Sequence, residues 1–123
     1  MVKLCAFNSL LPALYLNATV DHDLIIGATS PGPTAMFGPI RHGILRSEPG
    51  FPVQINADIV HSGDLVTIDP DQKWLHNDFS GMLKTDSGEY LRFTMKAIEQ
   101  PTQGIMRILG GDPTAPDVEH GDF

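Results

Sequence analysis

Ten prolines and twelve glycines are spread along the 123-residue chain, and they cut it into pieces too short to hold a helical repeat. No stretch keeps apolar residues at a period near 3.6 for three turns, so helix is expected to be minor and short strands to dominate. Strands are predicted near Ala13 to Val20, Met36 to Arg46, Val53 to His61, Lys73 to Lys84 and Glu89 to Ile98, with a shorter one at Leu65 to Ile68. Ser30-Pro31-Gly32-Pro33, Glu48-Pro49-Gly50, Ser62-Gly63-Asp64 and Asp69-Pro70-Asp71 read as the turns between them. Thr102 to Leu109 can form one short helix stopped at Gly110-Gly111, and beyond Asp112 the chain is an acidic, proline-containing extension with little to anchor it. There is no internal repeat, and the length suits one domain spanning residues 1–123 with one core.

The sharpest local signal is Thr85-Asp86-Ser87-Gly88, where glycine in fourth place suits a type I turn closed by a left-handed bulge residue. This turn sets Thr85 against Glu89. Counting outward, one hairpin face collects Leu75, Phe79, Gly81 and Leu83 against Leu91, Phe93, Met95 and Ala97, with Asn77 as the one polar intruder. The other face collects Trp74, His76, Asp78, Ser80, Met82 and Lys84 against Tyr90, Arg92, Thr94, Lys96 and Ile98, and places Asp78 opposite Lys96. A slip of one residue would mix the two sets, so the sorting itself argues for the register.

Charge excludes several partners. Eight basic residues stand against fifteen acidic ones, a formal charge of −7, and the basic residues form no stripe. Nucleic acid and anionic membranes would both repel such a surface. The lone Cys5 rules out an internal disulfide framework and a thiolate metal site, which suits a cytoplasmic protein. Met1 to Leu16 has a loose likeness to a signal peptide, but Asn8, Ser9 and Pro12 interrupt it and Leu14 and Leu16 continue as strand. No apolar segment is long enough to span a bilayer.

The run Arg46-Ser47-Glu48-Pro49-Gly50-Phe51, then Ser62-Gly63-Asp64-Leu65, Asp69-Pro70-Asp71, Asp78 ahead of Thr85-Asp86-Ser87-Gly88, and Ile108-Leu109-Gly110-Gly111 with a proline two residues later resembles the DUF3237 family, also called UPF0311. The likeness covers about Ala13 to Phe123. It implies a mainly β protein, an antiparallel calycin-like barrel or strongly curved sheet with at most one short helix. It also implies oligomers and cofactor-free work on small hydrophobic molecules, since some relatives lie beside genes for polyketide or terpenoid biosynthesis. Two departures stand out. Gly32-Pro33-Thr34 replaces a basic turn common in the family, and relatives continue past the equivalent of Gly121-Asp122-Phe123 with further terminal strands. An open sheet edge is therefore expected, and with it a homodimer or higher even oligomer that covers it.

The family tends to carry aspartate at Asp64 and Asp78 and a basic residue at Lys96. If the polar hairpin face lines a lumen, Lys96 holds Asp78 ionised and His76 beside it serves as general acid or base. Tyr90 and Arg92 would then orient a substrate oxygen, and Trp74 and Met82 would supply an apolar wall. If that face is solvated instead, Asp78 and Lys96 are an ordinary exposed pair, Asp64 caps a turn and Arg92 covers apolar surface with its stem. His42 and Arg46, with Ile44, share a strand face that suits a carboxylate or enolate, or else forms an exposed polar edge. No two of His22, His42, His61, His76 and His120 have the close spacing of a metal site, and no metal or other cofactor is expected. Nucleophile elbow, phosphate loop and dinucleotide fingerprint are all missing. The expected function is a cofactor-independent isomerase, cyclase or lyase acting on a small apolar metabolite, with a non-catalytic carrier of such a molecule as the alternative.

Overall fold

The computed structural model describes residues 6–21, 23–119 and 121–122, so Cys5, His22 and His120 lie outside it. Six strands follow one another: β1 (Leu14–Val20), β2 (Leu24–Ala28), β3 (Thr34–Ser47), β4 (Asn56–Ile68), β5 (Leu75–Thr85) and β6 (Tyr90–Glu99). One helix, α1 (Gln103–Leu109), comes last. All pairings are antiparallel, and the order β1-β3-β4-β5-β6 makes a meander in which β2 shares the β1 edge of β3. β1 and β2 thus act as one strand interrupted around Asp21, whose N–H donates to the Pro39 carbonyl at 2.8 Å. The sheet curls into an open half-barrel.

The β5–β6 hairpin has the register expected from the turn: Asp78 faces Lys96, Ser80 faces Thr94 and Gly81 faces Phe93. Gly88 closes the loop at φ 94°, a conformation that favours glycine, and its N–H donates to the Thr85 carbonyl at 2.9 Å. The apolar hairpin face is the buried one. Leu75 and Leu83 are fully inaccessible and Phe79 is 3% exposed, with its ring edge-on to Phe93 at 5.7 Å. Phe79 and Leu83 join Ile40, Leu45, Ala57 and Ile59 in one core, while Leu75 joins Met36, Val66 and Ile68 in a second that α1 covers with Ile105 and Leu109.

Two expectations about local structure are corrected. Ser62-Gly63-Asp64 is not a turn but the middle of β4, which fuses the two separate strands read there. The glycine is needed because the Phe37 ring lies on the position its Cβ would occupy. β2 was not foreseen, since Leu24-Ile25-Ile26-Gly27-Ala28 lacks the alternation of a half-buried strand and all three large side chains are exposed. Curvature comes from irregular pairing. β4 carries an extra residue between Ile59 and His61, and consecutive residues Arg41-His42 and Val60-His61 all face solvent at that bend. The one described helix is far too short to cross a membrane.

Candidate small-molecule site on the inner face

The two faces of the sheet divide the candidate residues. Trp74, Met82 and Tyr90 stand on the outer face at 40–62% exposure, and Arg92 and His42 are exposed as well. Lys96 Nζ lies 3.5 Å from Asp78 Oδ2, with the two side chains 81% and 52% exposed. An ion pair so placed contributes about 0–1 kcal/mol. His76 Nε2 is 3.2 Å from Asp69 at the β4–β5 turn, so its partner is Asp69. A shallow groove of about 430 Å³ runs over this surface between His76, Asp78, Lys96, Leu65 and Ile98, away from Trp74 and Tyr90. Arg46 is tied into β4, donating to the Ala57 carbonyl and to Asp58 Oδ1 at 3.0 Å.

Asp64 is different. It pairs across to Gly38 on β3 and to Phe79 on β5, which puts its carboxylate on the inner face. Gly38 is needed there because Val20 and Asp23 fill the space beside it: a Cβ would meet Val20 at 2.8 Å and Asp23 Oδ1 at 3.0 Å. Asn77 Nδ2 donates to Asp64 Oδ2 at 2.8 Å. The remaining oxygens, Asp64 Oδ1 and Asn77 Oδ1, are buried and accept no hydrogen bond. Leaving a buried acceptor without a donor costs about 1–3 kcal/mol. Both residues line a recess of about 590 Å³ whose apolar walls are Val20, Val66, Ile108, Leu109 and Pro113.

The helix and the segment after it roof this recess. Thr102 caps α1 by accepting from the Ile105 N–H, and Arg107 in the last turn reaches forward to Asp112 Oδ2 at 2.7 Å and to Thr114 Oγ1 at 3.0 Å. The Thr114 hydroxyl and N–H, followed by the Arg107 guanidinium, hold the Asp112 carboxyl below the usual aspartate range. The start of the acidic extension is therefore folded back beside the recess. The candidate residue missed by the sequence is Asn77, although its position among apolar neighbours on the hairpin face was the available signal.

Glu99, on the inner side of β6, reports on the same charge. Partial burial pushes its carboxyl above the ordinary value of 4.5, and the Asp64 carboxylate pushes it the same way. A carboxyl with a raised folded-state pKa stabilises the fold at pH values below its unfolded pKa, and that stability is lost as pH rises through the folded value. The expected outcome is that Glu99→Gln flattens the decline in thermal stability over that window and unfolds at a slightly higher temperature than wild type above it. Solvent screening holds the gain below about 1 kcal/mol. Parallel melting curves of the two proteins from pH 4 upward check this, and identical pH dependences would refute it.

Fold and recess together define an antiparallel β half-barrel with an acid–amide pair on its inner face. The chain belongs to the DUF3237 family, described as a protein of unknown function, whose pattern matches residues 8–123. No curated protein and no solved structure matches it. Among the described residues, no cluster of histidine, cysteine and carboxylate side chains could hold a metal ion.

Proposed function

We propose that this DUF3237 domain takes a small, largely apolar metabolite into the recess beneath α1 and carries out cofactor-free acid–base chemistry on it. An isomerisation, a ring closure or an elimination of water all fit this description. Asp64 is the proton-accepting group, and Asn77 fixes its orientation. The observation that carries the reading is the unsatisfied Asp64 Oδ1 beside Asn77 Oδ1 among apolar walls. An oriented carboxylate with a free acceptor in an apolar, partly enclosed site is what proton transfer from carbon or oxygen requires. Asp78, Lys96 and His76 lie on the solvent side in this reading and serve the surface. The lone cysteine favours work in the cytoplasm, and the exposed Leu24, Ile25 and Ile26 on the β2 edge favour a homodimer or higher even oligomer.

The test uses 2-hydroxycyclohexanone, which combines an apolar ring, a hydroxyl donor and an acidic C–H. Wild-type protein in deuterated buffer is expected to speed deuterium entry at the carbon bearing the hydroxyl, as followed by NMR. Asp64→Asn lowers that rate by about 100-fold, and Asp78→Asn leaves it unchanged. Full activity in Asp64→Asn, or its loss in Asp78→Asn, refutes the assignment. Binding in the recess without exchange would favour the carrier alternative.

A further inference from the structure

The recess has a polarity that limits what it can hold. Among the described residues its lining includes four aspartates, Asp21, Asp23, Asp64 and Asp112, and no lysine, arginine or histidine. Two of these carboxylates already have a guanidinium partner, since Arg41 Nε is 3.0 Å from Asp21 Oδ2 and Arg107 Nε is 2.7 Å from Asp112 Oδ2, whereas the Asp64 carboxylate is met by the Asn77 amide. The two unsatisfied buried atoms are both oxygens, and both are acceptors. Asn77 Nδ2 gives one of its N–H groups to Asp64, and a partner added at the two unsatisfied oxygens has to donate.

We infer that the recess selects ligands with a hydrogen-bond-donating head, an ammonium or a hydroxyl, on an apolar skeleton, and rejects carboxylates. This rests on the reading of the recess as the ligand site. Two physical facts separate the classes. An ammonium has enough N–H groups to donate to Asp64 Oδ1 and Asn77 Oδ1 together and a hydroxyl can donate to one of them, whereas a carboxylate brings more acceptors to two oxygens that need donors. A carboxylate also meets the Asp64 charge in a partly desolvated setting, where like charges repel more strongly than in water. An ammonium gains from the same charge, so it binds more tightly than the matching alcohol.

Three probes with one skeleton test the inference: cyclohexylmethylamine, cyclohexylmethanol and cyclohexanecarboxylate. Each is titrated into isotope-labelled full-length protein at neutral pH while the Asn77 side-chain amide and the Val66, Ile108 and Leu109 methyl resonances are followed. The amine and the alcohol are expected to shift these signals, with the amine tighter and the carboxylate weaker than the amine by tenfold or more. In Asp64→Asn the amine loses its advantage over the alcohol and the carboxylate penalty shrinks. Carboxylate affinity equal to that of the amine overturns the inference and leaves the recess standing as a ligand site. If none of the three moves the recess signals, the site reading fails and the donor selectivity fails with it.

Discussion

Leu83→Ala is expected to destabilise the protein by about 2–5 kcal/mol, the range for emptying a fully buried leucine site. Leu83 has no accessible surface and packs in the core with Ile59, Phe79 and Ala57, opposite Leu91 across the β5–β6 hairpin. Strands on every side keep their backbone hydrogen bonds in the variant, so the walls of the cavity have little freedom to collapse. The contrast is Leu65→Ala. Leu65 is also a strand leucine but faces outward at 39% exposure, and its truncation is expected to cost less than about 1 kcal/mol. Urea unfolding of the two variants beside wild type measures the difference directly. Equal losses would show that the sheet does not bury the hairpin face described above.

Gly63→Val should be nearly as damaging, for the opposite reason. The Phe37 ring occupies the space that any side chain at position 63 would need, and Gly63 sits mid-strand against Pro39 on one side and Ser80 on the other. Neither β3 nor β5 can retreat without breaking its ladder, so the ring has to leave its rotamer or the strands have to part. Overpacking of this kind costs about 1–3 kcal/mol. Pairing the change with Phe37→Ala separates that account from a general intolerance of branched residues. The double variant should be more stable than the sum of the single losses implies, by about 0.5 kcal/mol or more, because the clash exists only when both groups are present. Strict additivity in denaturant unfolding would exclude the ring as the cause.

Both predictions concern features that the sequence revealed unevenly. The β5–β6 register was legible because a tight turn with a glycine in left-handed conformation fixes the count, and the two hairpin faces differ in every pair except at Asn77. What the pattern could not decide was which face points inward when both have apolar members: Trp74, Met82, Tyr90 and Ile98 lie on the solvated side. A curved sheet buries its inner face unevenly, fully along β5 at Leu75 and Leu83 but only in part along β6, where Met95 is 44% exposed, so the rule is set by the whole sheet and not by one hairpin. Asp64 was picked out, but Ser62-Gly63-Asp64 has the composition of a turn, and nothing local reveals that the glycine answers to an aromatic ring on the next strand. Without that, neither the face of Asp64 nor its pairing with Asn77 could be derived. β2 was missed because an edge strand with an exposed apolar run has no alternation to detect.

The meander order has a kinetic meaning. From β3 onward each strand pairs with the one just before it, through connections of a few residues, and β3 itself folds back on β2 across the Thr29–Pro33 loop. Little chain entropy is lost in closing such short loops, so each hairpin can zip from its own turn without waiting for a distant segment. A Greek-key sandwich of equal length has to join strands far apart in the chain before its core forms, whereas this topology can be laid down in sequence as the polypeptide lengthens. Its successive turns, at Pro31-Gly32, Pro49-Gly50, Pro70-Asp71 and Ser87-Gly88, then serve as starting points for growth as well as corners of the finished sheet.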